Sequence, residues 1–151
     1  MRRVLVSALV ALASAGASIA AAEIPGALLV LEVQQVASPG RYPESAPPRF
    51  VLLEKGQFFV GGSRQLAGGR LESSELRALE GRVERLRKLQ GLGSQVELGG
   101  GPVRYRLQLL GKRPLEIVAS GDPKHAPAAL QPLASLLSDL EDFDHASLRF
   151  L

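Results

Sequence analysis

Few residues in this 151-residue chain have the chemistry that catalysis or metal binding needs. There are two histidines, His125 and His145, and no cysteine. A histidine-rich metal centre is therefore excluded, and any nucleophilic triad must use one of these two imidazoles. The missing thiols also remove disulfides, thiolate nucleophiles, cysteine-ligated zinc or iron–sulfur centres, c-type haem attachment and lipid anchoring through cysteine. His145 sits in Asp142-Phe143-Asp144-His145, where neighbouring carboxylates could orient a base or supply half of a weak cation site. The same pattern also describes an acidic, solvated helix end. His125 follows Lys124 beside a proline-rich stretch and reads as an exposed loop residue.

The serines add little to a catalytic reading. Gly91-Leu92-Gly93-Ser94-Gln95 lacks the last glycine of a nucleophile elbow and follows a helical pattern, whereas that motif follows a strand. Gly61-Gly62-Ser63-Arg64 and Gly99-Gly100-Gly101 lack the spacing and lysine of a phosphate loop and read as turns. No metal or cofactor set emerges. The remaining enzymatic alternative is a small hydrolase-like protein using His145 or His125.

The elements that would position these residues begin after an export-like segment. Arg2 and Arg3 precede an apolar run from Val4 to Ala20, and Ala20-Ala21-Ala22 offers a small-residue cleavage site before Glu23. A basic start, an apolar stretch and a small-x-small site are the parts of a secretory signal, so residues 1–22 are expected to be a cleaved signal peptide and the protein periplasmic or extracellular. No later run is apolar and long enough to span a bilayer. Without Arg2 and Arg3, the 18 basic residues become 16 against 15 acidic ones. That near-neutral balance argues against a nucleic-acid partner. The expected mature chain, 23–151, has the length of one domain.

Ala27 to Val36 is aliphatic and β-branched and predicts a strand; prolines 39, 43, 47 and 48 then predict a loop over 37–48. Phe50-Val51-Leu52-Leu53 and Gln57-Phe58-Phe59-Val60, separated by Glu54-Lys55-Gly56, predict a hairpin. Ser73 or Ser74 offers a helix cap, and Leu76, Leu79, Val83, Leu86 and Leu89 share one helical face. Val96 to Leu98 reads as a short strand. Strict alternation through Val103, Tyr105, Leu107 and Leu109, then Leu115, Ile117 and Ala119, predicts a second hairpin. Leu130, Leu133, Leu137, Leu140 and Phe143 form the apolar face of a second helix opening at Pro127 or Pro132, and 147–151 could add an edge strand. The expected fold class is α+β: an antiparallel sheet of about five or six strands, built from two hairpins and packed with two amphipathic helices.

The block from Phe50 to Gly62, followed by Leu71-Glu-Ser-Ser-Glu-Leu-Arg-Ala-Leu, resembles domains of uncharacterised exported bacterial proteins. These share a strand, a turn with an acidic residue and glycine, a strand ending in glycine, and a helix opening on a hydroxyl cap; Lys55 departs from the acidic position. The resemblance implies no activity.

Function is read from surfaces. The first strand and first hairpin are apolar on both sides, and two helices packed together cover one face of a sheet. A set near Phe50, Leu52 and Phe58, or near Val51, Leu53 and Phe59, is then left as a protein-contact or self-association surface. Arg104 and Arg106, with Lys112 and Arg113 at the turn, form a second candidate for an acidic partner, with Glu97 and Glu116 placed to neutralise it. The expectation is a non-enzymatic binding or accessory domain acting through a protein contact.

Overall fold

The computed structural model describes residues 24–35, 48–61 and 66–143. Seven strands and two helices run along the chain as β1 (Ala27–Gln35), β2 (Phe50–Leu53), β3 (Gln57–Gly61), β4 (Leu66–Arg70), α1 (Ser73–Arg87), β5 (Gln95–Gly99), β6 (Val103–Leu109), β7 (Leu115–Gly121) and α2 (Gln131–Glu141). They form one sheet in the order β4-β3-β2-β1-β6-β7-β5. The α+β class, the two hairpins and the two helices stand as expected.

The sheet departs from the expectation in two respects. It has seven strands, because Leu66–Arg70 pairs with β3 although Leu-Ala-Gly-Gly-Arg has little of the β-branched or aromatic content that marks a strand. It is also mixed, because β5 lies parallel to β7 while every other pair is antiparallel. The chain leaves β4 at one edge, passes through α1 and enters β5 at the opposite edge. The expected strand at 147–151, His145, the loop over 37–47 and residues 1–22 lie outside the described residues.

Local chemistry explains the boundaries. The β2–β3 turn is a single 3-10 turn over Glu54–Gly56, and both Lys55 (φ 67°) and Gly56 (φ 82°) take the left-handed conformation. Helix α1 is capped one residue before the expected serines. The Glu72 side chain accepts from the Glu75 N–H, and the Glu72 N–H donates to Glu75 Oε2 at 2.7 Å, a reciprocal box built from two glutamates. Helix α2 opens with Pro132 in its first turn, where the missing N–H costs nothing.

Both helices pack on the same face of the sheet. Leu79 and Leu86 of α1 and Leu133, Leu136, Leu137 and Leu140 of α2 join one buried cluster with Leu31, Leu107 and Ile117. Phe143, just past α2, extends this core over the first hairpin: its ring centroid lies 4.8 Å from those of both Phe50 and Phe58. The opposite face carries a smaller apolar cluster of Ala27, Val30 and Val51, with Ile24, Leu53 and Leu110 packed against it. Polar ties fix the layers. Arg82 Nη1 reaches Asp139 Oδ2 at 2.7 Å and joins the helices, and the Tyr105 hydroxyl donates to Glu141 Oε2 at 2.6 Å to join β6 to α2. Burial and that hydrogen bond raise the Tyr105 phenol above its ordinary value, with nearby carboxylates adding to the effect. Among the described residues no helix is long and apolar enough to cross a membrane.

Candidate functional site: the free edge beside Phe59

The β3–β4 end of the sheet combines an exposed aromatic with a strand that pairs on one side among the described residues. Strand alternation sends Phe58 to the helix-covered face, where it is buried, and Phe59 to the other, where it is 45% exposed. Phe59 is the exposed large hydrophobic among the described residues. Each ring lies over a glycine of β4. A Cβ on Gly68 would stand 3.2 Å from Phe59 Cδ1, and one on Gly69 would stand 2.6 Å from Phe58 Cζ. Bare backbone at the edge is thus overlaid by rings from the neighbouring strand, a cross-strand device for glycine in sheets.

The hydrogen-bond pattern identifies which groups of β4 face outward. The Leu71 N–H donates to the Gly56 carbonyl at 2.8 Å, so the pair Gly56/Leu71 is a hydrogen-bonded one. Antiparallel pairs alternate, so Phe58/Gly69 and Val60/Ala67 are bonded too, whereas Gln57/Arg70, Phe59/Gly68 and Gly61/Leu66 turn their groups away from each other. The Gly61 N–H, which donates to Arg49 O at 2.9 Å in β2, agrees with this phase. Leu66, Gly68 and Arg70 therefore present their N–H and C=O groups to the free side of β4. Gly68, Gly69 and Arg70 are exposed, and among the described residues no proline lies on this edge.

Of the residues expected to form a contact surface, Phe50, Leu52 and Phe58 are in the main core and serve packing, because both helices cover their face. Phe59 stands apart from them on the opposite side. Val51 is buried and Leu53 half-buried in the smaller cluster.

Arg104 and Arg106 project together on that same opposite face, toward β7, and both are half-buried. Arg106 is already engaged: its guanidinium lies 3.1 Å from Glu116 Oε2 and 3.7 Å from Glu32 Oε2. Glu32, opposite Arg106 across the β1–β6 ladder, is buried. Burial raises its carboxyl above the ordinary value; Arg106 works against this and the Glu116 charge adds to it. Burial also acts to raise Glu116, but hydrogen bonds from Gln108 and Arg106 outweigh it and hold that carboxyl below its ordinary value. Gln108 Nε2 donates to Glu116 at 3.0 Å, while its buried Oε1 has no hydrogen-bond partner among the described residues. Charge compensation was visible in the sequence for Glu116. The burial of Glu32 and Gln108 is not legible from polarity, and its one sequence signal is Glu32 as the single charge inside an aliphatic run. Arg104 lines a shallow polar cleft of about 390 Å³ with Gln95, Glu97, Gly101 and Ser120. At the turn, Arg113 donates to Glu84 of α1 at 2.7 Å.

His125 ends a 3-10 turn, Pro123–His125, whose cap is Asp122: the Lys124 N–H donates to Asp122 Oδ1 at 2.9 Å. Its imidazole is 63% exposed, lies 3.4 Å from Asp122 Oδ2 and rests against Gly100, where a Cβ would meet Cγ at 2.7 Å. No hydroxyl is hydrogen-bonded to this imidazole among the described residues. No group of three or more metal-ligating side chains occurs among them either.

Neither the family models, the curated proteins nor the solved structures give a match to this chain.

Proposed function

We propose that this is an exported, non-enzymatic binding domain that acts through a protein contact at the β3–β4 end of its sheet. The observation that carries the reading is Phe59, exposed beside a strand edge whose outward N–H and C=O groups have no ladder among the described residues. An apolar ring next to such groups supplies the two things strand addition uses, main-chain hydrogen bonds for affinity and a side-chain contact for selectivity. The arginine face supports a contact there less well, because Arg106 is neutralised within the domain. A role for His125 in holding a turn likewise favours recognition over hydrolysis. Export is part of the proposal and rests on the basic, apolar and small-residue order of 1–22.

The test places a photo-cross-linking benzoylphenylalanine at position 59 and, as control, at Lys112 in the exposed β6–β7 turn. Position 59 should give adducts of discrete mass in the native compartment and position 112 none. Absence of adducts at 59 overturns the contact. Mass spectrometry of native material should find the chain beginning at Glu23; a cytosolic chain retaining Met1 overturns the export.

A further inference from the structure

We infer that the partner of this edge is a second copy of the same chain, with β4 pairing antiparallel to β4 about a two-fold axis through Gly68. The inference rests on the contact reading above and goes on to name its occupant.

The phase of the ladder makes the self-pairing specific. Only Leu66, Gly68 and Arg70 direct backbone groups outward, and they are spaced evenly about Gly68. Two such edges related by a two-fold axis place Gly68 opposite Gly68 of the second copy, and Leu66 opposite its Arg70 on either side. Each of these becomes a hydrogen-bonded pair exchanging two bonds, so every outward group of both strands is satisfied. Any other antiparallel register either leaves some of these groups unpaired or sets them against residues whose groups point inward.

Side chains agree with this register. The two-fold axis is where like meets like, and there the residue is glycine, which has nothing to clash. In this register Arg70 does not stand opposite its own counterpart, and its guanidinium donates back to the Lys55 carbonyl at 3.2 Å, so no like charges face each other across the seam. An axis perpendicular to the sheet keeps the helices of both copies on one side. The two Phe59 rings, each already lying over its own Gly68, then flank the seam on the other side. Their exposed portions are the apolar surface that pairing covers. The near-neutral mature composition imposes no strong repulsion between copies. A seam of two five-residue strands is smaller than the interface of a stable dimer, so the association is weak and reversible.

The experiment compares Gly68 with Gly69. In the isolated chain the Gly69 N–H is committed to β3 and the Gly68 N–H faces solvent. Amide exchange by NMR and sedimentation equilibrium are followed together from about 1 μM to about 1 mM, a range that spans weak association. The expected result is a monomer–dimer equilibrium in which Gly68 exchange slows with the dimer fraction while Gly69 is slow throughout. Gly68→Pro, which removes an outward N–H and no bond to β3, should weaken the dimer at least about tenfold. Because proline could disturb β4, the exchange of the unaltered chain is decisive by itself. A dimer whose Gly68 exchanges at a constant rate overturns the pairing. A chain that stays monomeric, while position 59 cross-links to a protein of another mass, overturns self-pairing and leaves the contact reading standing. A monomer with no adduct at 59 overturns both.

Discussion

The Phe59 ring lies over Gly68, and a β-carbon added there would come within 3.2 Å of Cδ1. Its neighbour in each strand repeats the arrangement on the other face, where Phe58 lies over Gly69 with a would-be separation of 2.6 Å. The two contacts differ in how far the ring can yield.

Phe58 is held between Phe50 and Phe143 in the core, so Gly69→Ala forces a buried ring out of place and should cost about 1–3 kcal/mol. Phe59 has solvent on one side and can shift by the few tenths of an ångström that Gly68→Ala demands. The strand's gain from replacing glycine offsets that shift, and the net change should stay below about 1 kcal/mol. Urea denaturation of the two variants checks the asymmetry. Equal losses would contradict it.

Glu32 and Glu116 share Arg106 but should give opposite pH dependence. Folded Glu32 holds its proton more tightly than the unfolded chain does, so its contribution favours the native state in acid and is lost as pH rises from the ordinary value of 4.5 through the higher folded one. Folded Glu116 holds its proton less tightly, so its contribution is present above 4.5 and is lost as pH falls through the lower folded value. Stability measured against pH for Glu32→Gln and Glu116→Gln should therefore differ from the parent with opposite slopes. Slopes of the same sign would show that Arg106 does not divide the two carboxylates as described.

Gly121 closes β7 at φ 115°, and a Cβ there would stand 2.5 Å from the Gly99 carbonyl oxygen. Neither the backbone conformation nor a backbone oxygen can be relieved by a rotamer change. Gly121→Ala should cost more than about 2 kcal/mol and release β5, which among the described strands pairs only with β7. Loss of exchange protection at the Val118 N–H, which donates to Ser94 O at 2.8 Å, with β1 to β3 still protected, is the expected signature. An unchanged pattern would argue against this close approach.

Periodicity made the hairpins and helix faces legible. Alternation from Val103 to Leu109 and from Leu115 to Ala119 specified both strands and their buried side, because each side-chain row meets one environment. What periodicity cannot carry is pairing between distant segments. Val96 and Leu98 read as a strand, but nothing local says that β5 joins the far edge in parallel with β7. β4 has no sequence signature because Gly68 and Gly69 supply no apolar row; the rows above them belong to Phe58 and Phe59. Serine has the stronger capping preference, but the reciprocal box between Glu72 and Glu75 places the cap one residue earlier. For the site, Phe59 could be singled out as one of two apolar faces. Which face the helices would cover was settled only by tertiary packing.

The register of β1 against β6 joins Leu29 to Leu109 and Gln35 to Val103, near the middle of the sheet. A strand made early must thus await a neighbour encoded some seventy positions later, and loop closure of that span precedes any reward from the pairing. A nascent or threaded chain in which residue 109 has yet to appear has its centre open on one flank, however well the first hairpin has formed. Closure of the sheet centre consequently comes late in folding, and a shortened product lacking β6 should be a substrate for proteases.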